Sequence, residues 1–417
     1  MVMLDTLPSG LRLITERMPH VRSVTVGVWL TRGSRHETDA ESGVAHFVEH
    51  MLFKGTTSRS AQQIAQTIDS IGGQLDAFTA KEYAAYYIKV LDEHLPLAID
   101  LLSDMLLRPA FAPGDVTKEQ SVILEEIKMV EDVPDDLVHE VFSQQFWQKH
   151  PLGRPILGTP ETVLSFTSPT LRNYFGTAYV APNLIVAAAG NLEHEQLRSL
   201  VAAAFESVPA GAPLAATAPP VVTPGLAVRH KDIEQSHLCL GTPAYHHSHV
   251  NRHAMYVLNT ILGGSMSSRL FQHIREERGL AYAVFSNLTA YSDAGMITVY
   301  AGCANDKVGE VVDLTLAELR NLRSTAVAYD ELRRAKDHLK GSLMLSLENT
   351  SSRMSHLARQ QIYFGRHVTL DEMLARIESV SADDVQRVAN DLFAGQVVAT
   401  LVGPHATVPL EREALQV

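Results

Sequence analysis

The chain repeats its own plan. On either side of a proline- and alanine-rich stretch, Ser207 to Gly225 (SVPAGAPLAATAPPVVTPG), the same elements recur in the same order. The strand pattern SVTVGVWLTRGS (Ser23 to Ser34) is answered by SHLCLGTPAY (Ser236 to Tyr245), and the apolar helix that contains His46 to His50 by one over Arg252 to Leu262. The strands of GGQLDAFTAKEYAAYYIKVL are echoed by GLAYAVFSNLTAYSDAGMITVYAG. Each half continues with a helix (LPLAIDLLSDMLL or VVDLTLAELRNL) and a long amphipathic pair, and closes on a strand, LIVAAAGNL or VVATLVGP. A repeat of roughly two hundred residues is a domain, not a solenoid unit. The expected class is therefore α+β: two homologous domains, each a mostly antiparallel sheet covered by helices on one face. The boundaries that follow are 1–206, an extended Pro/Ala-rich linker over 207–225, and 226–417.

Within this frame one segment carries chemistry. His46-Phe47-Val48-Glu49-His50 places two imidazoles four positions apart, on one face of a helix and close enough to share a metal ion. At roughly 100° per residue, Glu49 and Phe53 share that stripe, while Val44, Ala45, Phe47, Val48, Met51 and Leu52 cover the rest. Polar groups on a helix this apolar need strong partners. The order H-x-x-E-H is the inverted form of the zinc-peptidase helix motif. It predicts a zinc site with a built-in general base, His46 and His50 as ligands and Glu49 as the base.

A hydrolytic zinc takes three protein ligands and leaves one position for water. The segment VTKEQSVILEEIKMVEDV (Val116 to Val133) reads as an amphipathic helix with Val122, Ile123, Ile127, Val130 and Val133 facing inward. Glu119 and Glu126 project from that face, whereas Glu125 points away. A carboxylate on an apolar stripe is costly unless paired or bound to metal. Periodicity prefers Glu119 or Glu126 over Glu125 and leaves those two equal.

HFVEH followed 76 residues after His50 by a glutamate within VILEEI resembles the pitrilysin/insulysin family of zinc metallopeptidases, in the branch of mitochondrial processing peptidase beta-type subunits and their bacterial homologues. The resemblance covers essentially the whole chain. It implies one zinc per chain held by His46, His50 and Glu126, with Glu49 activating water and Glu119 supporting the ligands. The fold it implies is half of a clam-shell, built from two similar helix-covered antiparallel sheets.

Two further segments match. In LGGSMSSRLFQHIREERGLAY (Leu262 to Tyr282), Gly263-Gly264 permit a tight, mobile turn, Ser267 or Ser268 can cap a helix from about Arg269 to Arg278, and Gly279 stops it. Read alone, Arg275 is a surface residue and Tyr282 a core aromatic. The resemblance instead gives the pair to the substrate, as donors for a carbonyl oxygen that gains charge. Relatives often carry a third glycine where this chain has Ser265. In GGQLDAFTAKEY (Gly72 to Tyr83), Leu75 to Thr79 reads as an edge strand able to add an extended peptide, with Asp76, Ala77, Phe78 and Thr79 as substrate-binding positions. Asp76 stands where many relatives have asparagine. His246, His247, His249 and His253 crowd a segment without helical or strand spacing and are read as surface loop.

The formal charge of −12 argues against a nucleic-acid binder and a basic membrane-seeking patch. No apolar run reaches the length of a membrane span. The first residues, MVMLDTLPSGLRLITERM, run into a hairpin pattern turning at Pro8-Ser9-Gly10, with neither a secretory nor a transit-peptide character, which predicts a cytoplasmic protein. Cys239 and Cys303 are expected to be buried thiols. The predicted activity is zinc-dependent endopeptidase action on unfolded or short peptides. With both the zinc helix and Arg275/Tyr282 on one chain, a homodimer is expected. The alternatives are an active subunit needing a metal-free homologous partner, or a non-catalytic core subunit.

Overall fold

The computed structural model describes residues 1–213, 217–405 and 415–417. The linker positions 214–216 lie outside the described residues, and the rest of 207–225 holds no helix or strand. Two sheets form, as the repeat demands. The first contains β1 (Val2–Thr6), β2 (Arg12–Arg17), β3 (Ser23–Leu30), β4 (Gln74–Thr79), β5 (Ala84–Leu91) and β6 (Leu184–Gly190) in the order β1-β2-β6-β3-β5-β4. The second contains β7 (Leu226–His230), β8 (Gln235–Ala244), β9 (Ala281–Ala290), β10 (Gly295–Ala304) and β11 (Val398–Gly403) in the order β7-β11-β8-β10-β9. Apart from β1, the orders superimpose position by position. The β2–β6 and β11–β7 pairs are parallel and all the others antiparallel. β1 and β2 form the expected hairpin, with Gly10 at φ +91° in its turn.

Helices do not cover one face only, as the sequence reading has it; both faces of each sheet are packed. In the first, helices Val44–Leu52 and Leu95–Leu107 seal one side with Leu13, Val24, Val26 and Val28. The other side, with Ile14, Trp29, Ile185 and Ala187, is sealed by Met354, Leu357 and Ala358 of helix Thr350–Phe364. The second sheet mirrors this: Cys239, Tyr300, Val398 and Val402 pack under Leu137, Val138 and Phe142 of helix Pro134–Phe146. Each covering helix comes from the opposite half of the chain. The compact units are therefore Met1–Lys128, Arg154–Ala218 and Ser346–His367, against Met129–Gly153, Pro219–Leu345 and Val368–Val417. These limits differ from 1–206 and 226–417 by one exchanged segment each way. The physical reason is that β6 (LIVAAAG) and β11 (VATLVG) are buried along their whole length and expose an apolar second face that must be covered.

Close approach is built in at matching places. A Cβ on Gly27 of β3 would lie 3.1 Å from Met354 Sδ, and one on Gly241 of β8 would lie 2.6 Å from Phe142 Cζ. Both cysteines are buried and free, as expected. Among the described residues no helix is long and apolar enough to cross a membrane.

Candidate metal centre

Helix Val44–Leu52 buries Val44, Ala45, Phe47, Val48, Met51 and Leu52, so its position is set by the core and its polar stripe by default. Its start is set by two devices the sequence reading missed. Gly43 at φ +93° turns the chain where a side chain would strike the Leu157 carbonyl and Gly158. The buried Glu37 carboxylate then accepts from the backbone N–H of Gly43 and of Ala45, each at 2.9 Å. A carboxylate at a helix N-terminus meets both orphan donors and the helix dipole.

On the polar stripe, the His46 and His50 rings lie 4.6 Å apart. Glu126 of helix Pro113–Asp132 faces both: its Oε2 is 3.7 Å from His46 Nε2 and its Oε1 3.6 Å from His50 Nε2. Ligand atoms of the three lie within 4.8 Å of one another, the one such group of three among the described residues. Glu119 stands behind them, accepting from His50 Nδ1 at 3.0 Å and paired with Lys54 Nζ at 2.6 Å. That bond places the proton on Nδ1 and leaves the lone pair of Nε2 toward Glu126. Burial, then the neighbouring His50, drives the His46 pKa down to about 3, so this imidazole is neutral. His46 Nδ1 and Glu126 Oε2 are buried and have no hydrogen-bond partner among the described residues.

Two imidazoles and a carboxylate thus converge, and the buried Glu126 Oε2 among them has no hydrogen-bond partner among the described residues. The arrangement fits a divalent cation, and its nitrogen and oxygen donors fit zinc. The edges of a tetrahedron around zinc are about 3.3–3.6 Å, close to the spacings seen. Glu125 faces solvent and pairs with Lys128, as the periodicity argument required. The predicted inward face of that helix needs correction: Val116, Glu119 and Ile123 are the buried residues, while Val122 and Val133 are exposed.

Glu49 sits one position before His50, and Thr79 Oγ1 donates to its Oε2 at 2.5 Å. Burial raises the Glu49 pKa, against the pull of Thr79 and His50, and Glu126 adds to the rise. A raised carboxyl pKa suits a group that must take and return a proton near neutral pH. β4 is indeed the edge strand of its sheet. Its side chains alternate: Leu75 and Ala77 pack toward the core under the zinc helix, with Thr79 on that face, whereas Phe78 packs against Trp29 on the other. Asp76 shares the face of Phe78 and lies across from Tyr87 in β5.

In the second unit, Arg275 and Tyr282 come together. The guanidinium carbon of Arg275 lies 5.1 Å from the Tyr282 ring centroid and 4.8 Å from that of Phe271. Tyr282 is 79% exposed, so it is not the core aromatic that the local pattern suggests. Arg275 sits in a π-helical turn, Phe271–Glu276, ended by Gly279 at φ +62°. Gly263 and Gly264 have a packing role rather than one of mobility, since side chains there would strike Ser286 and Thr260. His246 and His249 lie in a loop, but His253 is buried in helix Arg252–Leu262.

Residues 12–160 match the family profile described as Insulinase (Peptidase family M16), and residues 165–339 match the one described as Peptidase M16 inactive domain. An uncharacterized zinc protease of Bacillus subtilis is 42% identical over 404 residues, spanning 97% of this chain and 98% of the relative. The chain belongs to peptidase family M16. Another M16 relative, an uncharacterized zinc protease of Streptomyces coelicolor, is 44% identical over 407 residues, 96% of this chain and 89% of the relative. The M16 fold is shared with a protease from Helicobacter pylori (TM-score 0.90, 22% identity, 96% of this chain and 99% of the other). It is shared too with a Pseudomonas fluorescens structure described as peptidase M16 inactive domain (TM-score 0.92, 20% identity, 98% and 99%). The pitrilysin/insulysin resemblance therefore holds, and M16 relatives named zinc proteases support a metallopeptidase.

Proposed function

We propose that this M16 chain is a zinc-dependent endopeptidase that hydrolyses unfolded or short peptides, with one zinc per chain on His46, His50 and Glu126. The observation that carries the reading is the convergence of two imidazoles and a carboxylate beside Glu49. Zinc held by them would polarise the scissile carbonyl and lower the pKa of an attacking water. Glu49 accepts that water's proton on its carboxylate and returns it to the leaving amine. Glu119 holds the His50 tautomer throughout. The free edge of β4 binds an extended peptide through backbone hydrogen bonds, which favours unfolded substrates of any sequence. Arg275 and Tyr282 offer N–H and O–H donors to the substrate oxygen that gains charge. The working form is assigned as a homodimer, because one chain carries both the zinc helix and this pair.

The test is cleavage of a mixed quenched-peptide library by wild type and Glu49→Gln, before and after chelation and zinc return. Wild type should lose activity on chelation and regain it with zinc, while the variant falls on the order of 10²- to 10⁴-fold. Wild-type turnover by Glu49→Gln overturns the assignment.

A further inference from the structure

Glu49 is a poor base if its carboxylate wanders, because a glutamate has three rotatable side-chain bonds and the proton acceptor must be in place before the water attacks. One group holds it. Thr79 Oγ1 donates to Glu49 Oε2, and no other group among the described residues is hydrogen-bonded to this carboxylate. Threonine is branched at Cβ, so its hydroxyl direction is restricted once the strand is fixed.

The strand is fixed from behind by the segment that also caps the zinc helix. Thr79 pairs with Ala84 at the last register position of β4 and β5. In the turn that follows, Ala80 O accepts from Ser34 N at 3.1 Å and Lys81 O from Arg35 N at 2.8 Å. Arg35 donates to Glu82 at 2.6 Å in a fully buried ion pair, and Lys81 Nζ donates to the Arg154 carbonyl. Gly33 has no room for a Cβ, which would lie on the Ala80 carbonyl oxygen. A few residues farther, Glu37 holds the N-terminus of helix Val44–Leu52. Residues 33–37 therefore tie the turn after Thr79 and the helix bearing Glu49 to one frame.

We propose that Thr79 is a positioning residue for peptide hydrolysis: its hydroxyl, set in place by residues 33–37, pins Glu49 Oε2 and leaves Oε1 to take the proton of the attacking water. The inference rests on the peptidase reading above and adds to it a role distinct from substrate binding. A Thr79 that served only the peptide edge would act through backbone groups, and its hydroxyl would be dispensable.

The experiment compares wild type, Thr79→Val and Thr79→Ser, with Glu49→Gln as reference, in kcat and KM on one cleaved peptide, in bound zinc, and in crystal structures. Thr79→Val keeps the branched shape and removes the hydroxyl. Its kcat should fall about 10- to 100-fold, the scale of a misplaced catalytic group, with KM and zinc content unchanged. Thr79→Ser should recover most of the rate. Crystals should show Glu49 in one position in wild type and displaced in Thr79→Val. Wild-type kcat in Thr79→Val, an effect on KM alone, or an unmoved Glu49 overturns the inference. If wild type cleaves no peptide, or Glu49→Gln cleaves normally, the peptidase reading is what fails, and the crystal comparison still decides whether Thr79 holds Glu49.

Discussion

The two sheets share one strand order, yet acids on the helices of the two units meet different partners. In the second unit, Glu331 takes both Arg269 Nε and a terminal nitrogen at 2.8 and 2.9 Å, and Glu318 accepts from His273 Nδ1 at 2.6 Å. Glu331 is thus matched by an arginine of the chain itself, whereas the buried Glu318 Oε2 has Arg269 at 3.8 Å and no hydrogen-bond partner among the described residues. In the first unit, Glu126 faces two imidazoles, one of them driven neutral by burial, and part of its carboxylate has no partner among the described residues. An acid matched by arginine is structure. An acid left facing two imidazoles is a candidate site, because a bound cation would offset its desolvation. The repeat thus supplies one scaffold twice, and the partners of one glutamate set the candidate metal centre of the first unit apart from the second.

The sharpest way to break this comparison is to remove the unmatched acid. Glu126→Gln should lose zinc, while Glu125→Gln, changed one position away on the solvent side, should keep it. Glu119→Gln should keep zinc with affinity weakened about 10- to 100-fold, the usual cost of losing an outer partner of a ligand histidine. Zinc content after equilibration in a series of chelator buffers reads all three. Equal zinc in Glu126→Gln and Glu125→Gln would show that the convergence of the two imidazoles and Glu126 does not hold the metal.

The two halves also differ in how tightly the exchanged helices sit. A methyl on Gly241 would meet Phe142 Cζ at 2.6 Å and the Ile297 carbonyl at 2.8 Å, a stiff ring and backbone. One on Gly27 would meet Tyr87 Cβ at 2.9 Å and the thioether of Met354 at 3.1 and 3.2 Å, of which the thioether can swing away. Overpacking a core costs about 1–3 kcal/mol, so Gly241→Ala should fall near the top of that range and Gly27→Ala near the bottom. Calorimetric melting of the full chain measures this. A larger loss in Gly27→Ala would mean that helix Thr350–Phe364 is the more rigid of the two covers.

Part of this is legible in the sequence for physical reasons: helical spacing puts His46, Glu49 and His50 on one stripe and turns Glu125 away, and the repeat gives the doubled order of elements, whereas the choice of Glu126 over Glu119 rests on the family resemblance. The exchanged helices were not legible, because a helix pattern shows which face is apolar but not which sheet it will cover. The continuous apolar runs LIVAAAG and VATLVG were the available signal, since strands buried on both faces lose their alternation. Val122 and Val133 misled because apolar residues on a long surface helix need not point inward, whereas Glu119 is buried through its bonds to His50 and Lys54. Thr79 was placed correctly on the edge strand, but its bond to Glu49 spans thirty residues of sequence and has no local signature.

The last contrast lies at the helix starts. Asn251 precedes helix Arg252–Leu262 without a side-chain cap, whereas Glu37 caps Val44–Leu52 with both oxygens. Burial raises the Glu37 pKa to about 7, against the pull of the Ala45 and Gly43 N–H groups and the charges of Arg154 and Lys81. The folded protein therefore holds a proton on this group over a pH range where the unfolded chain has released it. Stability from Glu37 is fully present below the ordinary glutamate pKa of 4.5, declines as pH rises toward 7, and levels off above it. Glu37→Gln should cost about 0.5–2 kcal/mol from the weakened cap and should also flatten this slope. The melting-temperature gap between wild type and variant should be widest below about pH 4.5 and narrow as pH rises through 7, while Asn251→Ala shows no such trend. A gap that widens with pH would mean that the two N–H bonds outweigh burial and that Glu37 caps the zinc helix as an anion throughout.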